Sequence, residues 1–102
     1  MRVGFGEDGR PGAFNLLSPV DHAAGVPTSG VLSWDSAFDI ESYDVYLFVW
    51  GQAELLVSAA QIPAEFAYSG LTPGGVRYQW YVLARNAFGL TQCRVHFDFT
   101  TV

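Results

Sequence analysis

Residues 71–89 read LTPGGVRYQWYVLARNAFG, and this stretch decides the fold of the chain. Its first part, Leu71–Gly75, is rich in proline and glycine and therefore predicts a turn. Apolar and polar residues then alternate from Arg77 to Arg85, which is the period of a β-strand with one face on a core. The positions predicted to face inward are the even ones: Tyr78, Trp80, Val82 and Ala84.

The composition indicates one folded domain with few kinds of partner. The chain has 102 residues, of which 50% are hydrophobic and only 15% charged, and this excludes disorder for most of its length. A net charge of −5 disfavours nucleic acid and anionic membranes as partners. No apolar run is long enough for a membrane span, and the single cysteine, Cys93, excludes a disulfide framework or a multi-cysteine metal site.

Outward from residues 71–89, the rest of the chain repeats short apolar runs between turn residues. No helical period persists over a useful length, so we predict an all-β protein, a seven-stranded immunoglobulin-like sandwich, with a barrel as the weaker alternative. The predicted strands are Phe14–Ser18, Val31–Trp34, Tyr43–Trp50, Glu54–Ser58, Glu65–Ser69, Arg77–Arg85 and Cys93–Thr101. The glycine-rich, charged segment 1–13 is predicted to be a flexible tail or linker, and residues 14–102 the folded domain.

Several motifs, taken in order, resemble a fibronectin type III domain. They are Leu71-Thr72-Pro73-Gly74, then Tyr78, then Ala84-Arg85-Asn86 and Gly89, with Ser33-Trp34 and Phe99-Thr100-Thr101 in support. The resemblance implies a structural core that includes Trp34, Leu71, Tyr78 and Trp80, and a Tyr78 hydroxyl turned back onto the backbone near Leu71. It also implies a non-catalytic spacer or interaction module of a larger extracellular or cell-surface protein. The chain has no Arg-Gly-Asp tripeptide, so integrin binding is not expected.

Residues that could carry chemistry are few. Cys93 and His96 lie three apart on a predicted strand, so they would face opposite sides and could not form a catalytic dyad. We therefore expect no enzyme activity, no cofactor and no metal. One alternative stays open, because carboxylates crowd the connection before the third predicted strand and could hold calcium. They are Asp35, Asp39, Glu41 and Asp44.

A candidate interaction face follows from the strand alternation. If the odd positions of Tyr43–Trp50 face inward, an aromatic stripe faces outward beside the strand 77–85. The predicted face consists of Tyr46, Phe48, Trp50, Tyr81, Leu83 and His96. Such a face suits a neighbouring domain, a protein partner or an identical subunit. The alternatives are an accessory module that stacks its rings on carbohydrate, and an ordinary face partly covered by Glu54–Ser58.

Overall fold

The computed structural model of the chain describes residues 9–102. Within that range there are nine β-strands and no helix. The strands are β1 (Leu16–Ser18), β2 (Ala23–Val26), β3 (Gly30–Trp34), β4 (Ser42–Val49), β5 (Leu56–Gln61), β6 (Glu65–Tyr68), β7 (Arg77–Asn86), β8 (Gly89–Gln92) and β9 (Phe97–Thr101). Accordingly, this part of the chain offers no helix long and apolar enough to cross a membrane.

The strands form two facing sheets, as predicted for an immunoglobulin-like sandwich. One sheet has three strands in the order β1-β3-β6, and the other has six, in the order β2-β9-β7-β4-β5 with β8 also paired to β7. The centre of the larger sheet is the antiparallel pair β4 and β7, whose register runs from Ser42 opposite Arg85 to Val49 opposite Tyr78. The all-β sandwich is confirmed, with nine strands in place of seven.

The two additional strands, β2 and β8, are short, and of the two only β2 has a partner distant in sequence. β2 pairs in parallel with β9, Ala23 opposite Phe99, so the chain leaves the smaller sheet after β1 and joins the larger one. β8 folds back on the end of β7 through a two-residue turn closed by Asn86 opposite Gly89. Neither stretch has enough alternation to predict a strand from sequence alone. The last predicted strand, Cys93–Thr101, was too long. β9 begins only at Phe97, and Val95, which precedes it, is exposed.

The core lies between the inner faces of the two sheets. Trp34 and Trp80 are buried there with ring centroids 6.4 Å apart, at positions expected for the core. Tyr43 packs edge-on against Trp34 at 5.4 Å, and its hydroxyl accepts a hydrogen bond from the Ala37 backbone N–H. Buried aromatic rings of this size contribute a large share of the apolar area removed from water.

The predicted tyrosine contact closes the turn before β7. The Tyr78 hydroxyl accepts a hydrogen bond from the backbone N–H of Thr72, at 2.9 Å, next to the half-buried Leu71. The ring of Tyr78 stacks on Phe99 of β9, with centroids 5.8 Å apart. One side chain therefore ties the turn, β7 and β9 together.

Part of the segment predicted to be a tail or linker contacts the sandwich. Residues 1–8 of this segment lie outside the described range, whereas residues 9–12 pack on the sandwich. Pro11 is fully buried, and its carbonyl accepts a hydrogen bond from the Thr91 hydroxyl. The Gly9 carbonyl accepts from the Asn86 side-chain amide, and the Gly12 N–H donates to the Phe38 carbonyl. The backbone groups of residues 9–12 are thus bonded to residues distant in sequence. The glycine content of the segment does not reveal these partners.

Replacing Tyr78 with phenylalanine should keep the fold and lower the free energy of unfolding by about 1–3 kcal/mol, because the Thr72 N–H loses the acceptor that the Tyr78 hydroxyl provides. The matched control is Tyr46→Phe, since the Tyr46 hydroxyl makes no hydrogen bond to the described residues. Urea denaturation of both variants measures the difference. Equal midpoints would show that the Tyr78 hydroxyl does not stabilise the turn.

Deleting residues 1–12 should lower the melting temperature by several degrees relative to deleting residues 1–8 alone. The larger deletion removes the buried Pro11 and three hydrogen bonds to the body of the sandwich, each of which contributes about 1 kcal/mol. Calorimetry of the two shortened chains checks this. Identical melting temperatures would mean that residues 9–12 contribute nothing to stability.

Candidate interaction face

The outer face is the side of the six-stranded sheet that points away from the core. β4 and β7 are directly paired, so their alternate residues share this side, Tyr46 lying opposite Tyr81 and Phe48 opposite Gln79. The loop before β9 adds His96. The structure thereby brings together the residues predicted for the interaction face.

A stack of three rings runs across the outer face. Tyr46 and Tyr81 are parallel to within 9° with centroids 4.7 Å apart, and His96 lies on the other side of Tyr81 at 4.1 Å, also at 9°. Phe48 meets Tyr81 edge-on at 6.1 Å. Both flat sides of the Tyr81 ring are therefore covered by neighbouring rings of the same chain.

The stripe is less exposed than we expected from sequence. Tyr81, Phe48 and Leu83 are only 6%, 7% and 8% exposed, because rings on paired strands lie against one another instead of projecting into solvent. Tyr46 and His96 are half-buried, and Trp50 alone of the predicted residues is largely exposed, at 44%. Trp50 is therefore exposed, whereas Tyr81 and Phe48 at the centre of the stripe are buried.

Leu56 is a member of the outer face that the sequence reasoning missed. It opens β5 opposite Tyr46 and is 43% exposed. Leu55, Leu56 and Val57 are all apolar, so no alternation shows which of them points outward, and bulges in the β4–β5 pairing shift the register. Leu56, Tyr46, Tyr81 and His96 form one continuous row across the sheet.

Burial shifts the pKa values of Tyr81 and His96 toward the uncharged forms of both rings. The Tyr81 hydroxyl donates to the Glu54 carboxylate, and burial, then this hydrogen bond, raise the pKa of Tyr81 well above its usual range. Burial lowers the pKa of His96 below its ordinary value. A neutral His96 with its proton on Nε2 donates to Gln92 at 2.9 Å and accepts at Nδ1 from Gln79 at 3.2 Å, which satisfies both nitrogens.

A second cluster on the outer face is charged. The Arg77 guanidinium lies over the Trp50 ring, 3.5 Å from its centroid, and also binds the Asp98 carboxylate at 3.1 Å. Asp98 in turn contacts His22 Nδ1 at 3.0 Å. Burial acts to raise the pKa of Asp98, but the hydrogen bonds and charges of Arg77 and His22 outweigh it, so that the pKa lies below its ordinary value. His22 reaches this position only because β2 pairs with β9, which the sequence did not predict.

Metal-ligating residues converge at one place in residues 9–102, formed by Asp21, His22 and Asp98, whose ligand atoms all lie within 4.8 Å of one another. His22 Nδ1 lies 3.0 Å from Asp98 and its Nε2 lies 3.4 Å from Asp21, and Asp98 also pairs with Arg77. These contacts hold the β1–β2 connection against β9.

The acidic loop does not assemble a comparable group. Asp44 pairs with Arg85 and accepts a hydrogen bond from the Ala60 N–H at 2.9 Å, so its carboxylate is occupied. Asp39 is bonded to the side chain of Asn86. Three ligand atoms from Asp35, Asp39, Glu41 and Asp44 do not come within reach of one ion in the described structure.

Cys93 lies in the loop before β9, not on a strand as predicted. It is buried, and burial raises the pKa of its thiol, which keeps it in the protonated, weakly nucleophilic form. Both nitrogens of His96 are bonded to glutamine side chains, so that ring is not positioned to activate the thiol. Cys93 is thus packed in the interior, and His96 is held by its two hydrogen bonds.

Comparison with solved structures gives the same architecture throughout. The chain aligns with an Fn3-like protein from Clostridium thermocellum at a TM-score of 0.65 and 14% identity, covering 95% of this chain and 96% of that one. It aligns with FN3tt at a TM-score of 0.57 and 17% identity, over 90% of this chain and 89% of that one. The chain has the fibronectin type III fold.

The same fold is shared with a computationally redesigned β-sandwich protein, at a TM-score of 0.64 and 20% identity, over 89% of this chain and 92% of that one. No protein-family model and no curated protein matches the sequence. The matches to solved structures confirm, at the level of fold, the fibronectin type III resemblance of the motifs in residues 71–89.

The stability of this domain should fall in acid partly through Asp98. A carboxylate whose folded pKa is depressed below 3.8 contributes stability above that pH, and loses it as the pH falls through the folded pKa. Asp98→Asn should therefore be less stable than the wild type at neutral pH and converge with it below the folded pKa. Urea midpoints measured from pH 7 to pH 2 test this, and a constant difference at all pH values would contradict it.

Proposed function

We propose that this domain is a non-catalytic interaction module of a larger protein, which docks onto a neighbouring domain or protein through its outer face. One observation carries the proposal. Leu56 at the β5 end of the row and Trp50 just after β4 are exposed at 43% and 44%, and no further layer of residues 9–102 covers that side of the sheet. Large apolar groups grouped on one face are typical of protein interfaces.

The chemistry of the face fits protein docking. Tryptophan and arginine are enriched at the energetic centres of interfaces, and here Arg77 lies directly on Trp50. Burying apolar area contributes about 25 cal/mol per Å², so a few hundred Å² around Trp50 and Leu56 supplies several kcal/mol before the cost of association. The buried rings of Tyr81 and Phe48 give this surface a rigid base.

Carbohydrate binding is the weaker proposal because sugars stack on free aromatic faces. Both sides of Tyr81 are covered by Tyr46 and His96, and one side of Trp50 is covered by Arg77. The rings stand against one another and do not form a flat, open platform. A protein partner has no such requirement, since it can pack on ring edges and on Leu56.

A non-catalytic role agrees with the buried, protonated Cys93 and with the bonded nitrogens of His96. A place outside the cell or at its surface is proposed from the family resemblance, whose bacterial members are often spacers in such proteins.

The outer face is tested by removing its exposed apolar groups. At high concentration the isolated domain should self-associate through this face, and Trp50→Ser with Leu56→Ser should shift it to monomer with little change in melting temperature. The matched control is Leu17→Ser with Val31→Ser, which removes two exposed apolar groups from the other sheet. Sedimentation equilibrium measures the mass of each form.

Two results would overturn the proposal. One is a wild type that is monomeric at all concentrations, and the other is equal loss of association in the test and control pairs. Retention of the wild type on insoluble polysaccharide, lost in Trp50→Ser, would instead support the carbohydrate-binding alternative.

A further inference from the structure

A cavity of about 510 Å³ opens between the two sheets at one side of the sandwich. Its walls come from the inner side of β4, from Leu55 and Val57 at the start of β5, and from β6 with residues 69–71 after it. Functional small-molecule sites commonly have volumes of about 300–1,000 Å³, so this space is large enough for a ligand.

The cavity follows from the unequal width of the sheets. The smaller sheet ends at β6, which pairs with β3 alone, whereas the larger one continues past β4 to β5. The inner side of β5 therefore has no strand facing it. Val57 and Phe66, which would be core residues in a sandwich of equal sheets, are only half-buried.

The lining indicates the chemistry of an occupant. No charged side chain lines the cavity, and its lining includes four aromatic residues, Phe48, Phe66, Tyr68 and Tyr78. The two tyrosine hydroxyls are already used, because Tyr68 donates to the Pro27 carbonyl and Tyr78 accepts from Thr72. Polar groups are confined to Gln52 and the Ser69–Gly70 segment. An ionic ligand would be desolvated there without a partner, so a neutral one is favoured.

The shape favours a small molecule over an extended peptide. The lining ends at Val57 and Phe66, and the chain crosses from β5 to β6 just beyond them. That crossing is fixed by the Gln61 side-chain amide, which donates to the carbonyls of Pro63 and Glu65 at 2.7 Å each. A peptide added as a strand along β6 would meet this crossing. It would also meet the Glu65 carbonyl, which is already hydrogen-bonded to Gln61.

We propose that the cavity between β5 and β6 binds a neutral, largely apolar small molecule with one or two aromatic ring systems. Its rings lie against Phe66, Tyr68 and Tyr78, and any polar substituent points toward Gln52 and Ser69. The site is distinct from the docking proposed for the outer face, because its lining includes neither Trp50 nor Leu56, although Phe48 borders both.

The probe for this site is N-phenyl-1-naphthylamine, a neutral aromatic amine that fluoresces in apolar surroundings. Titration of the full chain should show saturable binding to one site. Val57→Trp, which fills the cavity from β5, should weaken binding by about tenfold or more. Val31→Trp makes the same exchange at an exposed position on the far side of β3 and should change binding by less than about twofold.

A second measurement does not depend on the fold of a variant. In amide NMR spectra of the wild type, the probe should shift the signals of Val57, Phe66 and Ser69–Leu71, and leave those of Trp50 and Tyr81 in place. The proposal is wrong if the probe does not saturate, if the shifts lie on the outer face, or if folded Val57→Trp binds as tightly as the wild type. Binding of apolar peptides in the absence of probe binding would also overturn it.

Discussion

The pairing of β4 with β7 is the constraint on which the rest of this domain depends. Its register is continuous from Ser42 opposite Arg85 to Val49 opposite Tyr78, and the side chains on the two strands therefore alternate in step. A slip of one residue would exchange the two faces completely. Because the same pairing places Leu47 beside Trp80 inside and Tyr46 beside Tyr81 outside, the core and the outer face are two consequences of one register.

The side chains of β4 and β7 that point inward account for the stability of the sandwich. Those that point outward form the outer face. Inside, Trp34 meets Trp80 and Tyr43, with Tyr78 closing the turn through Thr72. Outside, the rings of Tyr46, Tyr81 and His96 cover one another, and Trp50 and Leu56 are among the apolar groups that stay open to a partner. The unequal sheets add a second feature, since β5 extends past β6 and leaves an apolar cavity on the inner side.

Sequence reasoning found what depends on local pattern. The alternation in residues 77–85 predicts which side chains of β7 face the core, and the Leu71–Tyr78 spacing predicts the tyrosine contact. In residues 43–50 both sets of positions are apolar, so the facing of β4 was only a condition of the predicted stripe. What it missed depends on pairing between distant segments: β2 beside β9, His22 beside Asp98, and Pro11 under Thr91. Exposure was also misjudged at Tyr81, because one strand pattern does not show that rings on neighbouring strands will cover one another.

The central claim is that the outer face presents its exposed apolar groups to a partner, while the rings of its aromatic row cover one another. Amide and indole NMR signals of the full chain, followed during dilution, test this most directly. The account predicts concentration-dependent shifts at the Trp50 indole, Leu56 and the neighbouring Arg77. Shifts confined to the three-stranded sheet, or spectra that do not change with concentration, would contradict it.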